Sequence, residues 1–263
     1  MTSSSERRLA GRVAIVTGGA SGLGAAVSQS LAAAGARVLI ADIDGAAAAR
    51  VIERVKTAGG SGEAIVTDVT READVVRLMR AAEEAGGLRV LVLSAAVEIR
   101  RNLTEISDEE WQRVIDVDLK GPFLCMKHGI GLMARSGGGS IIALGSTLGA
   151  IGQPGYAAYC AAKGALVNLC KQAAIEHARD GVRVNVISPS ACEAGLFLRV
   201  AEQSGDAERI KRMVADSVPA GRLGNSDDVC EAVLFLAGDV STYINGTVVA
   251  LDGGLAARRQ SLG

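Results

Sequence analysis

The chain alternates between short apolar runs and longer mixed segments. The runs are VAIVT (residues 13–17), VLIAD (38–42), AIVTD (64–68), VLVLS (90–94), SIIALGS (140–146), VRVNVIS (182–188) and TVVALD (247–252). Most are apolar throughout instead of every second residue, the pattern of strands covered on both faces, so a parallel sheet between helical layers is expected. Segments 22–34, 45–58, 71–85, 108–135, 156–179 and 226–237 read as the intervening helices. Ser107 with Glu110, and Ser226 ahead of Asp227 and Asp228, supply expected N-caps and negative charge in a first turn. Right-handed βαβ crossovers follow. Residues 191–221 depart from the alternation: they are charged, helical in character and without a strand, which predicts a flap over a site.

Length keeps this pattern within one core: 263 residues suit a single α/β domain over 1–263. Composition is 49% hydrophobic but only 3% aromatic, with 33 glycines, favouring close backbone packing over an aromatic platform for single-stranded nucleic acid. Net charge is −1 and the pairs Arg7-Arg8, Arg100-Arg101 and Arg258-Arg259 are scattered, so no nucleic-acid or membrane footprint is visible. The first residues lack an apolar signal core, and no run approaches the ~20 apolar residues of a membrane span. A soluble, cytoplasmic protein is expected. Five cysteines without a CxxC, and two histidines without Cys or His partners, predict buried thiols and no metal site.

The first strand runs into TGGASGLG, residues 17–24, directly before a helix. Gly18, Gly22 and Gly24 allow a tight turn that brings backbone N–H groups and the start of the helix dipole against a pyrophosphate. Asp42 closes the second strand, where an acid accepts hydrogen bonds from the ribose hydroxyls of an adenosine and repels a 2′-phosphate. Ser21 and Ile43 offer no compensating cation, so NAD(H) is expected over NADP(H).

Tyr159 and Lys163 stand four residues apart, on one helix face. A tyrosine with pKa near ~10 is a poor base at neutral pH; a neighbouring ammonium and the positive ring of an oxidised nicotinamide favour its phenolate and bring it toward the working range. Ser146, at the end of the preceding strand, is placed to hold the substrate oxygen while Tyr159 exchanges a proton with it.

The order of glycine turn, strand-end acid, serine and YxxxK resembles the short-chain dehydrogenase/reductase family over nearly the whole chain. TGGASGLG resembles its cofactor turn, Asp68-Val69 its adenine contact, and GSTLGAIGQPGYAAYCAAK its segment from catalytic serine to lysine; VRVNVISP and VVALDGG match as well. The resemblance implies a single doubly wound Rossmann-type domain with a seven-stranded parallel sheet flanked by helices. It also implies secondary alcohol and ketone interconversion with NAD, and a homotetramer or homodimer built through the helices around Trp111 and Tyr159 and the C-terminal strand. Catalysis then falls to Ser146, Tyr159, Lys163 and Asp118. Cofactor contacts fall to Gly18, Ser21, Gly22, Leu23, Gly24, Asp42, Ile43, Asp68, Val69, Ser94, Ala95, Ala96, Tyr159, Lys163, Pro189 and Cys192. Substrate contacts fall to Ser146, Leu148, Tyr159, Glu98 and Glu193, with Leu196 and Phe197 over an apolar part.

Several positions depart from the family pattern. Asp118 replaces an asparagine that helps hold a water chain to the active-site lysine, and its charge is expected to pair with Lys163 and alter the pH optimum. Leu93 to Ala96 replace NNAG, removing side-chain amides that brace this loop. Pro189-Ser190 stands for Pro-Gly, and Ala194 occupies the place of a threonine that holds the nicotinamide carboxamide. These departures leave a second reading, a catalytically weak NAD-binding sensor or scaffold of the same fold.

Overall fold

The computed structural model describes residues 8–203 and 205–257, with the side chains of Leu196, Arg199, Val200 and Gln203 outside the description. Arg7, Arg258 and Arg259 of the basic pairs also lie outside the described residues. Strands β1 (Val13–Thr17), β2 (Arg37–Asp42), β3 (Ser61–Val66), β4 (Val90–Leu93), β5 (Gly139–Leu144), β6 (Val182–Pro189) and β7 (Val248–Leu251) form one sheet of order β3-β2-β1-β4-β5-β6-β7. Every pairing is parallel. Helices α1 (Gly22–Ala33), α2 (Gly45–Thr57), α3 (Glu72–Glu84), α4 (Asp108–Ile115), α5 (Gly121–Arg135), α6 (Ala157–Glu176), α7 (Gly195–Gln203), α8 (Ala207–Ser217) and α9 (Ser226–Ala237) complete the described elements.

Alternate residues of the central strands feed two cores. Ile15, Leu39, Leu91, Ile141 and Val184 pack with α3, α5 and α6, whereas Ala14, Val16, Val38, Val92 and Ile142 pack with α1 and α9. This is the doubly wound arrangement that the uninterrupted apolar runs predict. The chain winds in opposite senses on the two sides of the β1/β4 pair, so the C-terminal ends of these strands open a crevice, with Thr17 beside Leu93.

Four local expectations need correction. β3 begins at Ser61, not Ala64, and its residues are exposed or half-buried, because it is an edge strand paired with β2 alone. Gly62 fits there for want of a side chain: a Cβ would lie 2.4 Å from the Val38 carbonyl oxygen. Asp68 has already left the sheet, its carboxylate accepting the Thr70 N–H at 3.0 Å in the turn toward α3. The helix expected over 108–135 is divided by a π-helical turn at Asp116–Lys120, and Pro122 opens the first turn of α5. At α9 the N-cap is Asn225, in a capping box with Asp228, so Ser226 is the first helical residue. α6 ends at Glu176, short of Arg179, and a 3₁₀ turn over Ala178–Asp180 leads into β6. Ser107 does cap α4, in a box with Glu110. The described residues of 191–221 contain α7 and α8 and no strand. No helix among the described residues is long and apolar enough to cross a membrane.

Candidate active site

A cleft of about 1810 Å³ lies across the C-terminal ends of the strands, and nearly all the expected site residues line it. At one end is the glycine turn. Gly18 has φ +64° and Gly22 φ +53°, conformations that disfavour any side chain. A Cβ at Gly18 would lie 2.7 Å from Ala95 Cα and one at Gly24 2.2 Å from the Gly18 carbonyl oxygen, so the turn is cradled against both β4 and the start of α1. Ser21, at the α1 N-cap, makes no side-chain capping bond, leaving first-turn N–H groups facing a cleft that Gly22, Leu23 and Gly24 also line. Asp42 is held from both oxygens: one accepts the Ala20 N–H and the other the Asp44 N–H, each at 3.0 Å. Ile43, Asp68 and Val69 border the same end. The cradle and the fixed carboxylate fit a nicotinamide dinucleotide.

The loop after β4 is braced without the expected amides. The Thr17 hydroxyl accepts the N–H groups of Ser94 (3.1 Å) and Ala95 (3.2 Å), and the Asp118 carboxylate accepts the Val97 N–H at 2.8 Å. Neither brace was legible from sequence, because each joins residues from separate strands, loops or helices. The small side chains of Ala95 and Ala96 remain on the cleft wall, and Pro189, Cys192 and Ala194 border it from the β6 side. Burial pushes the Cys192 thiol up to about 11, so it stands there as a neutral thiol.

At the other end, Ser146, Tyr159 and Lys163 line the cleft together. The Lys163 ammonium is 5.4 Å from the centre of the Tyr159 ring, donates to the Leu144 carbonyl at 3.1 Å and lies 3.2 Å from Asp118 Oδ2. Asp118 does not border the cleft; it is fully buried beneath it, placed inward by the π-helical turn. The expected pairing of Asp118 with Lys163 is therefore present. Burial raises the Asp118 carboxyl, against the pull of Lys163 and of the Val97 N–H. Burial would strip the proton from Lys163, but Asp118 and the Tyr159 phenol outweigh it and hold the ammonium protonated above its ordinary range.

The Tyr159 phenol departs from expectation. In the protein itself burial dominates and raises its pKa, Asp118 and Glu98 push the same way, and Lys163 and the Ser146 side chain only partly oppose them. The lysine's pull has the expected sign; the dry pocket is the larger effect.

Leu148 and Glu98 line the substrate end as expected, with Phe197. Glu193 does not. It is exposed, and its N–H donates to the Gly224 carbonyl at 2.8 Å beside the Cys192–Gly224 bridge; Cys192 takes the buried side and Glu193 the solvent side. Sequence reasoning missed Tyr156, Arg100 and Gln153 on one wall and Ile210, Met213 and Val214 of α8 on another. The amphipathic spacing of Ile210, Met213 and Val214 was the available signal.

The family profile described as enoyl-(acyl carrier protein) reductase matches residues 18–256. A cis-4-hydroxycyclohexanecarboxylate dehydrogenase of Sinomonas cyclohexanicum is 41% identical across 94% of this chain and 97% of its own length. A galactitol 2-dehydrogenase of Agrobacterium fabrum is 36% identical across 94% of this chain and 98% of its own. A crystal structure described as a short-chain type dehydrogenase/reductase from Mycobacterium marinum superposes with a TM-score of 0.89 at 30% identity, covering 95% of this chain and 97% of that one. With the glycine cradle, the strand-end acid and the serine, tyrosine and lysine on one cleft, these likenesses identify the chain as a member of the short-chain dehydrogenase/reductase family, a Rossmann-fold oxidoreductase.

Proposed function

We propose that the protein is an NAD(H)-dependent dehydrogenase that interconverts a secondary alcohol and a ketone, with Tyr159 as general acid and base. The observation that carries this reading is the meeting of Ser146, Tyr159 and Lys163 on the cleft whose far end holds the glycine turn and Asp42. A pure NAD sensor has no use for that trio, and the enzyme reading is preferred on this ground. The relatives named above, by their names dehydrogenases of a hydroxycyclohexane acid and of galactitol, point to a ring-bearing or polyhydroxylated secondary alcohol.

The dinucleotide would lie from Asp42, over Gly18 to Gly24, to the loop 94–96 and Pro189. When bound, its nicotinamide takes or gives the hydride and, oxidised, adds a positive charge beside the phenol. Ser146 accepts the Leu148 N–H at 3.1 Å, and its own hydroxyl, which lies against the Tyr159 phenol, would donate to the carbinol or carbonyl oxygen once substrate is bound. Tyr159 Oη removes the hydroxyl proton in oxidation and returns it in reduction. Lys163 stabilises the phenolate, and Asp118 holds Lys163. The flap is α7 and α8: Gly195, at the start of α7, sits so close to the glycine turn that a Cβ on Gly22 would meet its Cα at 2.8 Å. Water exclusion over the cofactor is its role in this reading.

NAD(H) is favoured over NADP(H) because Asp42 is fixed in place and no lysine or arginine lines that end of the cleft among the described residues. The test is NAD⁺ reduction against a panel of cyclic and acyclic secondary alcohols. Turnover is expected with NAD⁺ and at least tenfold weaker with NADP⁺. Tyr159→Phe should lose at least about a hundredfold in kcat, the scale of general acid–base catalysis. NADH binding without turnover of any alcohol or ketone would instead favour the sensor.

A further inference from the structure

The loop that follows β4 carries two opposite charges into the cleft, and their order along it is informative. Glu98 acts on both phenols, Tyr156 and Tyr159. Arg100 acts on Tyr156, the outer of the two. Both charges therefore act at Tyr156, and Glu98 also reaches the inner phenol, Tyr159.

Backbone contacts fix Arg100 in place. The Arg101 N–H donates to the Gly155 carbonyl at 2.9 Å, and residues 101 and 156 form a parallel bridge, so the loop is pinned to the turn before α6. The stem of Arg100 lies along Gly155, where an added Cβ would come within 3.2 Å of Arg100 Cγ. Its guanidinium carbon is 5.6 Å from the centre of the Tyr156 ring, which meets the Tyr159 ring edge-on at 6.4 Å. Neighbouring Arg101 is neutralised by Glu110 at 3.3 Å, but among the described residues Arg100 forms no ion pair and donates no hydrogen bond. A planar fork of donors, stacked in position and left without a carboxylate, suits a carboxylate presented from the cleft. The same cleft is also lined by the apolar residues Ile99, Leu148 and Ile151.

We infer that Arg100 is the anchor for an anionic group on the substrate, so that the preferred substrates are secondary alcohols that also bear a carboxylate. Glu98, which acts on both phenols, would repel an anion placed beside them, so Arg100 is the favourable side. The inference rests on the reading of this cleft as an alcohol and ketone site, and it assigns a specificity residue that takes no part in proton transfer.

The test separates binding from chemistry. Cyclohexanecarboxylate, which has no hydroxyl to oxidise, and its neutral methyl ester are titrated calorimetrically into the full chain saturated with NAD⁺. The acid is expected to bind roughly tenfold to a hundredfold more tightly than the ester, the range for hydrogen bonds to charged groups. Arg100→Gln should abolish that preference and Arg100→Lys should restore part of it, while Arg113→Gln, a cation on the α4 wall, should leave it in place. Among hydroxylated ring acids, Arg100→Gln should raise KM with little change in kcat, the signature of lost uniform binding. Equal affinity of acid and ester in the parent, or a preference that survives Arg100→Gln or vanishes in Arg113→Gln, overturns the inference. Turnover of plain cyclohexanol tests the dehydrogenase reading by itself, so the two can fail separately.

Discussion

Asp118 is the residue at which this chain differs most in chemistry from its family's pattern. A neutral amide can share hydrogen bonds with a lysine; a buried carboxylate brings a full charge 3.2 Å from its ammonium. That charge has two consequences of opposite sense. It keeps Lys163 protonated, which favours the Tyr159 phenolate, and it acts directly on Tyr159, which disfavours the phenolate. With Asn at 118 the direct repulsion goes, the phenol pKa falls, and alcohol oxidation, which needs the phenolate, should reach its plateau at lower pH. The acidic limb of log(kcat/KM) against pH for Asp118→Asn is therefore expected to move down, and an unchanged profile would count against the role given to Asp118. Asn keeps an oxygen for the Val97 N–H. Asp118→Ala keeps none and leaves the ammonium buried beside the Leu144 carbonyl, so it should cost about 3–5 kcal/mol of stability, measurable by urea unfolding.

At the scale of elements, catalytic geometry depends on how the turn bearing Ser146 sits on α6. Ser146 caps a 3₁₀ turn over Thr147–Gly149, and Gly149 lies against the α6 backbone: a Cβ there would be 2.9 Å from the Lys163 carbonyl carbon. Gly164 answers from the helix, its own hypothetical Cβ 3.2 Å from the Gly149 oxygen. Backbone on both sides leaves nothing flexible to yield. Gly149→Ala should therefore wedge the turn from the helix and part Ser146 from Tyr159, at about 1–3 kcal/mol in stability and at least roughly tenfold in kcat/KM. Parent-like kinetics in that variant would show that the contact does not set the geometry. This contact also marks the limit of what local sequence discloses. The glycine turn, Asp42 and the Tyr159–Lys163 pair were legible because each is a short motif whose chemistry follows from spacing within one element. The Thr17 hydroxyl under Ser94 and Ala95, and the Asp118 carboxylate under Val97, were not, since each depends on how distant elements register. Strand β3 went partly astray for a related reason. An apolar run tells how deeply a strand is buried, but an edge strand pairs on one side only and is held by register, not by burial.

For the molecule as a whole, the parallel order of the strands sets the cleft at one end of the sheet and leaves β7 paired only with β6, its other edge free. That edge is apolar and partly open: Val248 is 38% exposed, and Tyr243, just before the strand, is fully exposed. Ile175 near the end of α6 and Phe235 on α9 are exposed as well, as are Trp111 on α4 and Phe123 on α5. Soluble chains rarely leave a long apolar edge strand uncovered, because it pairs with whatever strand it meets. We therefore expect a homodimer or homotetramer in which these faces are covered. Sedimentation equilibrium should give two or four chains per particle. Tyr243→Arg combined with Val248→Lys, which charges the free edge while leaving the cleft untouched, should reduce that number. A parent that sediments as a monomer at micromolar concentration would mean that the apolar edge stays uncovered and that each cleft works alone.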